Sequence, residues 1–242
     1  MSDPTVTAVV VTWNSADVIG DCLRSLRVAL DGLLSTVVVV DNGSGDDTLA
    51  RVTAAEPDAV VIANPRNRGL AAANNQGMAA RPADFFLIAN PDVVFDAGAV
   101  RALLDLAGRR PRAGWVAPRL RYEDGRLQTS VGSLPTLAQT LLGRQVARRR
   151  AGDEPVGFWW DGWPHTEEHR IGRCLECAYL VRAETVRSVG AQDEHYRLDW
   201  EGTDWSERFA RAGWELWFTP DAVVTHRGGL SRRQVPYRAV VS

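Results

Sequence analysis

The residues of this 242-residue chain best placed to do chemistry are polar groups that end apolar runs. The clearest run is Phe85-Phe86-Leu87-Ile88-Ala89-Asn90-Pro91-Asp92-Val93-Val94. It begins as unbroken apolar sequence, the pattern of a strand buried on both faces in a mostly parallel sheet. Pro91 has no N–H for a ladder, so the strand stops near it. Asp92 then sits at the carboxyl edge of a central strand, where open α/β sheets bind ligands. A hard divalent cation held by that carboxylate keeps positions for water and for phosphate oxygens. Asp92 is therefore expected to serve a nucleotide diphosphate; capping the next segment is its plainer use. Asp41 ends a second apolar run in the same way, within Asp41-Asn42-Gly43-Ser44. Between Asp193 and Asp204 lie five carboxylates in twelve residues, ahead of an expected helix that Thr203 or Asp204 would cap. His226 closes the last apolar run, before Gly228-Gly229.

Holding these groups requires strands that end at a common rim. Thr7 to Val11 reads as the first buried strand, ending in Thr12-Trp13-Asn14-Ser15. Asn14 or Ser15 is expected to cap a helix whose apolar positions Val18, Ile19, Cys22, Leu23 and Leu26 keep a helical period. Val37 to Val40 is the second strand. Asp46 and Asp47 open the helix after it, where carboxylates suit the positive end of the dipole. Val60 to Ile62 is the third strand, Asn64 to Gly69 a turn, and Ala71 to Ala80 a small-residue helix that can approach its neighbours closely. Such β-α-β-α-β-α-β alternation within about 90 residues predicts a parallel, doubly wound half. The first strand-to-helix turn lacks the glycine fingerprint of dinucleotide-binding proteins, and no Gly-Lys-Ser/Thr follows a strand. A cation at Asp92 is then the expected device for phosphate.

The later elements are expected as follows. A helix covers Ala97 to Leu106, a strand Gly114 to Pro118, and a hairpin turns at Asp124-Gly125. Residues 135–170 read as an irregular insertion, with four arginines between Arg144 and Arg150 followed by Phe158, Trp159, Trp160 and Trp163. Such a run is a solvated face, or a contact for phosphate or an anionic membrane surface. Cys174 to Val181 reads as one strand, so Cys174 and Cys177 would point to opposite sides or be poorly placed to bridge, and no metal or redox pair is expected. Ala183 to Val189 and Trp205 to Ala212 read as helices, the second ended by Gly213. Trp214 to Phe218 and Val223 to His226 read as two last strands.

A formal net charge of −2 excludes the basic footprint of a nucleic-acid partner. No run approaches the roughly 18 apolar residues of a membrane span. The start of the chain lacks a basic stretch ahead of an apolar one, so no secretory signal is expected. Three cysteines fit a reducing compartment. Nine tryptophans, clustered late, suit flat ligand faces such as sugar rings as well as a core.

Read in order, Thr12-Trp13-Asn14, Val40-Asp41-Asn42-Gly43-Ser44, Asn67-Arg68-Gly69-Leu70-Ala71-Ala72-Ala73-Asn74-Asn75, Asn90-Pro91-Asp92, Ala212-Gly213-Trp214 and Val224-Thr225-His226-Arg227-Gly228-Gly229 follow one pattern over nearly the whole chain. In order and spacing the chain resembles the family 2 glycosyltransferases of GT-A fold, especially their rhamnosyltransferase-like branch. The resemblance implies an α/β fold with a doubly wound nucleotide-binding half and a mixed sheet. It implies transfer of a sugar, with inversion, from a dTDP- or UDP-linked donor; the branch suggests rhamnose or another deoxyhexose. By the same analogy Thr12 and Asn14 lie beside the nucleotide and Asp41 accepts a hydrogen bond from the base. Asn42, Ser44, Asn67, Gly69, Asn75 and Asn90 join the nucleotide-sugar pocket. Asn90-Pro91-Asp92 stands for the family's Asp-x-Asp without its first carboxylate, so Asp92 carries Mg2+ or Mn2+ and His226 completes the coordination. A histidine merely ending a buried strand is the plainer use of His226.

Such a displacement needs a general base, and a carboxylate contributes roughly 10²–10⁴-fold. The resemblance puts Glu-Asp-x-Asp at 201–204, with the second acidic residue as base. This chain reads Glu201-Gly202-Thr203-Asp204, so the usual position is glycine. Glu201 is the expected base, then Asp204, with Asp199 as a further candidate. Trp159, Trp160, Glu176 and Trp200 are expected on the acceptor side. The chain is read as one domain, 1–96 for the nucleotide sugar and 97–242 for a glycan, lipid-linked or small-molecule acceptor. A cytoplasmic location follows, with peripheral contact at the inner membrane face left open. Two alternatives stand beside this reading: a non-catalytic nucleotide-sugar- or glycan-binding protein of the same fold, and a nucleotidyltransferase. The last needs a glycine-rich triphosphate loop after the first strand, and none is present.

Overall fold

A computed structural model describes residues 3–134, 155, 157–196 and 200–228 of the chain. The arginine run from Arg144 to Arg150 and the candidate Asp199 lie outside the described residues. The first half alternates as expected: β1 (Thr5–Thr12), α1 (Ile19–Ala29), β2 (Leu34–Asp41), α2 (Thr48–Ala55), β3 (Val60–Ala63), α3 (Leu70–Ala80) and β4 (Phe85–Ala89). There follow β5 (Val93–Phe95), α4 (Ala99–Arg109), β6 (Ala113–Arg121), β7 (Leu127–Gln128), β8 (Val131–Gly132), β9 (His169–Ile171), β10 (Arg173–Cys174) and β11 (Ala178–Arg182). Helices α5 (Ala183–Val189) and α6 (Glu201–Arg211) and the strand β12 (Glu215–His226) complete the described elements.

The main sheet runs β3-β2-β1-β4-β11-β6-β12-β5, with β7 on β6 and β9 on β12. The four strands from β3 to β4 are parallel. β11 is antiparallel to both β4 and β6. The start of β11 therefore lies at the same rim as the ends of β1, β2 and β4.

Alternation along β1 divides the core between the two faces of the sheet. Val6, Ala8 and Val10 pack with Ile19, Leu23 and Leu26 of α1 and with Leu103 of α4. Val9 and Val11 pack with Ala73 and Met78 of α3 and with Trp205 and Phe209 of α6. α3 sits so close to β1 that a Cβ on Gly77 would fall 2.2 Å from Val9 Cγ1. Its run of small residues is the condition for that approach.

Four boundaries differ from the sequence reading. Helix α1 begins at Ile19, because Ser15 accepts the backbone N–H of Val18 and Ile19 in a turn that comes first. The run from Cys174 to Val181 breaks at Leu175-Glu176-Cys177, between β10, which pairs with β8, and β11 in the main sheet. Helix α6 begins at Glu201 and not Trp205, with Trp200 at its N-cap position, so Thr203 and Asp204 lie inside the helix and do not cap it. The two last strands are one, with a register shift between Thr219 and Val223 that accommodates Pro220. Among the described residues no helix is long and apolar enough to cross a membrane.

Candidate active site

The loops after β1, β2 and β3 are fastened to each other before any ligand arrives. Asp41, buried at the end of β2, accepts from the Ser44 hydroxyl through Oδ1 and from the Ser44 backbone N–H through Oδ2 at 3.0 Å. Ser44 Oγ accepts from the backbone N–H of Asn14 at 2.9 Å, and Asn14 Oδ1 accepts from that of Gly45 at 2.8 Å. Asn14 holds φ at 47°, a left-handed conformation that asparagine tolerates. The buried Asn42 joins the loop after β3: its Nδ2 donates to Asn67 Oδ1 and Gly69 O, and its Oδ1 accepts from the Arg68 N–H. Gly43, at φ 84°, lies so close to that loop that a Cβ there would meet Arg66 Cα at 2.8 Å. Thr12 is buried beside this network, and among the described residues its hydroxyl has no hydrogen-bond partner. Asn75 reaches the other way: it donates to Gln192 O and Glu194 Oε1 and accepts the Gln192 N–H, tying α3 to the segment before α6.

At the end of β4, Asn90 donates its backbone N–H to Cys177 O at 2.8 Å. Asp92 is 6% exposed, and among the described residues its Oδ1 has no hydrogen-bond partner. Its Oδ2 lies 3.6 Å from Nε2 of the buried His226. The other nitrogen of that ring, Nδ1, is 3.1 Å from Gln128 Oε1. An amide oxygen accepts, so Nδ1 carries the proton and Nε2 keeps its lone pair toward Asp92. A carboxylate oxygen without a partner beside an oriented imidazole fits a divalent cation, with oxygen donors suited to Mg2+ or Mn2+. No group of three or more His, Cys, Asp or Glu able to hold a metal occurs among the described residues. Two side chains alone would leave most positions on a cation to other oxygen donors. Sequence reasoning missed Gln128, which sits in a hairpin strand and carries no signal of its own.

Across the rim, Glu176 occupies the turn between β10 and β11, held on either side by Leu175 N–H to Ser130 O and by the Asn90–Cys177 bond. Its carboxylate lies over Gly202 in the first turn of α6. Glu201, the residue before that glycine, is 3% exposed. Burial, then the negative charges of Glu176 and Glu201, hold the Tyr179 hydroxyl well above the usual phenol range, so both carboxylates belong to one neighbourhood. Asp204 points elsewhere and receives Arg208 Nε at 2.9 Å, one turn along α6. Burial pushes the Cys22 thiol up to about 12 and raises Cys174 and Cys177 as well, which leaves all three cysteines as core thiols.

An aromatic lip flanks Glu201. The Arg173 guanidinium lies 3.6 Å from the Phe158 ring centroid and 4.3 Å from that of Trp159. Trp200 stands 6.0 Å from Phe158, with φ at 72° and its side chain exposed. Trp160, expected on the acceptor side, is 4% exposed and donates its indole N–H to Ser133, which places it in the core. Nothing in the sequence marked Arg173 or Gln192, because their partners come from distant segments.

A family model described as glycosyl transferase family 2 matches residues 7–162. N-acetylglucosaminyl-diphospho-decaprenol L-rhamnosyltransferase of Mycobacterium tuberculosis (strain CDC 1551 / Oshkosh) is 30% identical over 250 residues, covering 94% of this chain and 78% of the relative. The fold resembles that of the mannosyltransferase PcManGT from Pyrobaculum calidifontis, solved with GDP-Man and Mn2+, at a TM-score of 0.65 and 20% identity. That match covers 99% of this chain and 59% of the mannosyltransferase. GalNAc-T7, solved with UDP, GalNAc and Mn2+, gives a TM-score of 0.70 at 15% identity, covering 99% of this chain and 46% of that one.

Proposed function

The chain belongs to glycosyl transferase family 2, and from that premise we propose that it moves a deoxyhexose, rhamnose first among them, from a dTDP- or UDP-linked donor to a lipid-linked glycan. That it is an inverting glycosyltransferase of GT-A-like fold using a nucleotide-sugar donor follows from the family. The sugar and the acceptor are the proposal, and the mycobacterial rhamnosyltransferase supports them.

The observation that carries the mechanism is the pair of Asp92, just after β4, and His226, at the end of β12, with one carboxylate oxygen that has no hydrogen-bond partner among the described residues. These two residues would hold a divalent cation, and Gln128 fixes the imidazole. When bound, the cation offsets the charge that grows on the departing diphosphate, a contribution of several kcal/mol. The chain's own residues supply the rest. Asp41 retains lone pairs beyond those used by Ser44, since an ionised carboxylate has about four acceptor sites, and it takes the imide N–H of thymine or uracil. Asn42 and Asn67 hold the loop that walls this pocket. The Glu176–Glu201 neighbourhood supplies the base that accepts the proton of the acceptor hydroxyl. The Arg173–Trp159–Trp200 lip receives the acceptor on apolar faces. On this reading residues 1–96 form the donor half and 97–242 the acceptor half, with His226 and Gln128 reaching back to Asp92.

The test is a thermal-shift screen of dTDP- and UDP-hexoses with Mg2+ or Mn2+, followed by time-dependent release of the nucleoside diphosphate. A rise in midpoint that needs both donor and metal, with catalytic release, is expected for dTDP-rhamnose. Donor binding without turnover, for any donor and with acceptor glycans supplied, would make the chain a binding protein.

A further inference from the structure

We infer that Glu176, and not Glu201, is the catalytic base; this rests on the glycosyl-transfer reading above. The first observation is spatial. A Cβ built on Gly202 would fall 1.8 Å from Glu176 Cδ and 2.0 and 2.1 Å from its two oxygens. Real side-chain atoms do not approach so closely, so the Glu176 carboxylate fills the volume in which a side chain at 202 would begin. The second concerns the glycine. Gly202 is not among the glycines of positive φ, so its backbone would accept any residue. Glycine inside a helix is unfavourable relative to other residues. Room for Glu176 is what the structure gains from it. The volume is also the one where the sequence resemblance expects a carboxylate; here the charge is delivered from the β10–β11 turn instead of from α6.

The third observation is place. Cys177, the neighbour of Glu176, receives the N–H of Asn90, two residues before Asp92. Glu176 therefore stands at the rim across from the diphosphate side, at the start of a reversed strand. It is only half-buried, whereas Glu201 is 3% exposed and packed at the root of α6. A base must meet a hydroxyl that arrives from solvent; Oε2 is buried in both carboxylates, and Glu176, the more exposed residue and placed on a turn, can meet a hydroxyl without moving a helix. In the step itself, Glu176 takes the proton of the acceptor hydroxyl while that oxygen bonds to the anomeric carbon. The bond from that carbon to the diphosphate oxygen breaks, and its electron pair leaves with the nucleoside diphosphate. Glu201 is a positioning residue beneath this pair.

The experiment uses the full chain, Mn2+ and whichever of dTDP-rhamnose, UDP-glucose and UDP-N-acetylglucosamine the wild-type protein turns over, with water as acceptor. Glu176→Gln should lower kcat for diphosphate release by at least about 10²-fold. Its donor Kd and unfolding midpoint should stay near wild type, and the acidic limb of the pH–kcat profile should vanish. Glu201→Gln should lose less than about tenfold and keep that limb. The pair Glu176→Ser with Gly202→Asp should recover at least about tenfold over Glu176→Ser alone, because a side chain at 202 then has room. Turnover by Glu176→Gln within about threefold of wild type overturns the inference, as does a Glu201→Gln loss that Glu176→Gln does not share. A loss at Glu176 matched by an equal loss of donor affinity overturns it too. Wild-type protein that releases no diphosphate from any donor, with acceptor glycans supplied as well as water, defeats the glycosyl-transfer reading itself, whereas active wild type with active Glu176→Gln defeats only the assignment of the base.

Discussion

The two sides of the rim are built differently. On the β1–β2 side the polar groups are joined through short hydrogen bonds: Asp41 to Ser44, Ser44 to Asn14, and Asn42 to Asn67, Arg68 and Gly69. On the β11–α6 side the surfaces are ring faces stacked around one guanidinium, with an exposed tryptophan in a left-handed conformation. A hydrogen-bonded frame with fixed acceptors suits a ligand of constant chemistry, such as a base and ribose. Stacked rings recognise a flat apolar face and tolerate changes in what surrounds it. Under the proposed function, the contrast makes donor identity a matter of geometry prepared in advance, and acceptor identity a matter of surfaces that residue exchange can alter.

The strongest way to break the donor side is Asp92→Asn, which keeps shape and removes charge. Turnover should fall by at least about 10²-fold, the equivalent of several kcal/mol of lost cation assistance. The unfolding midpoint should hold, because Asp92 Oδ1 has no hydrogen-bond partner to lose among the described residues. Full activity of that variant in a chelator would remove Asp92 from the site. Next in size is Asp41→Ala, expected to weaken donor binding by about 1–3 kcal/mol by calorimetry, since the base loses its acceptor. Ser44→Ala, which takes away the hydroxyl that orients Asp41 and accepts the Asn14 N–H, should cost less. Unchanged donor affinity in Asp41→Ala would make Asp41 a turn residue.

Trp200→Ala sharpens the comparison from the other side. Loss of one stacking face, about 0.5–1.5 kcal/mol, should raise the acceptor KM roughly two- to tenfold and leave donor Kd alone. An equal change in both would join the two sides into one surface. The smallest effect concerns pH. His165 is fully buried, and burial lowers its pKa, with the Trp163 carbonyl opposing and Arg119 adding to the shift. Its neutral form is favoured by folding, so this contribution is complete above the ordinary value of about 6.5. It declines as pH falls below that value, because the unfolded chain then binds the proton first. Melting midpoints between pH 7.5 and 5 should fall less in His165→Asn, which can still hold the positive φ of 55° found there.

Much of the donor half was legible because its strands are short apolar runs that end in Pro, Gly or Asp, which punctuate the chain locally. Phe85 to Ala89 and Val37 to Val40 carry that signal in full. The β10–β11 break was hidden because Cys174-Leu175-Glu176-Cys177-Ala178 reads as a continuous strand, and the turn is imposed by pairing with two different sheets. The gap read between Phe218 and Val223 closes in the other direction, since a register shift lets β12 continue past Pro220. Asn75 is expected in the pocket from its motif; its side-chain hydrogen bonds run to Gln192 and Glu194, 117 residues and more along the chain, which the sequence could not show. The contact of Glu176 with Gly202 is equally non-local; the glycine was visible in the sequence, but what filled its space was not.

The reversed strand β11 also dictates an order of assembly. β4, five fully buried residues, lies between β1 and β11, so one of its edges has no strand to pair with until Ala178–Arg182 has been made. A growing chain that has completed the βα alternation therefore still exposes a row of free peptide groups along Phe85–Ala89, the kind of edge that recruits other strands. The centre of this sheet closes late, and a ribosome-bound or truncated chain ending before β11 carries an adhesive strand that the finished protein conceals.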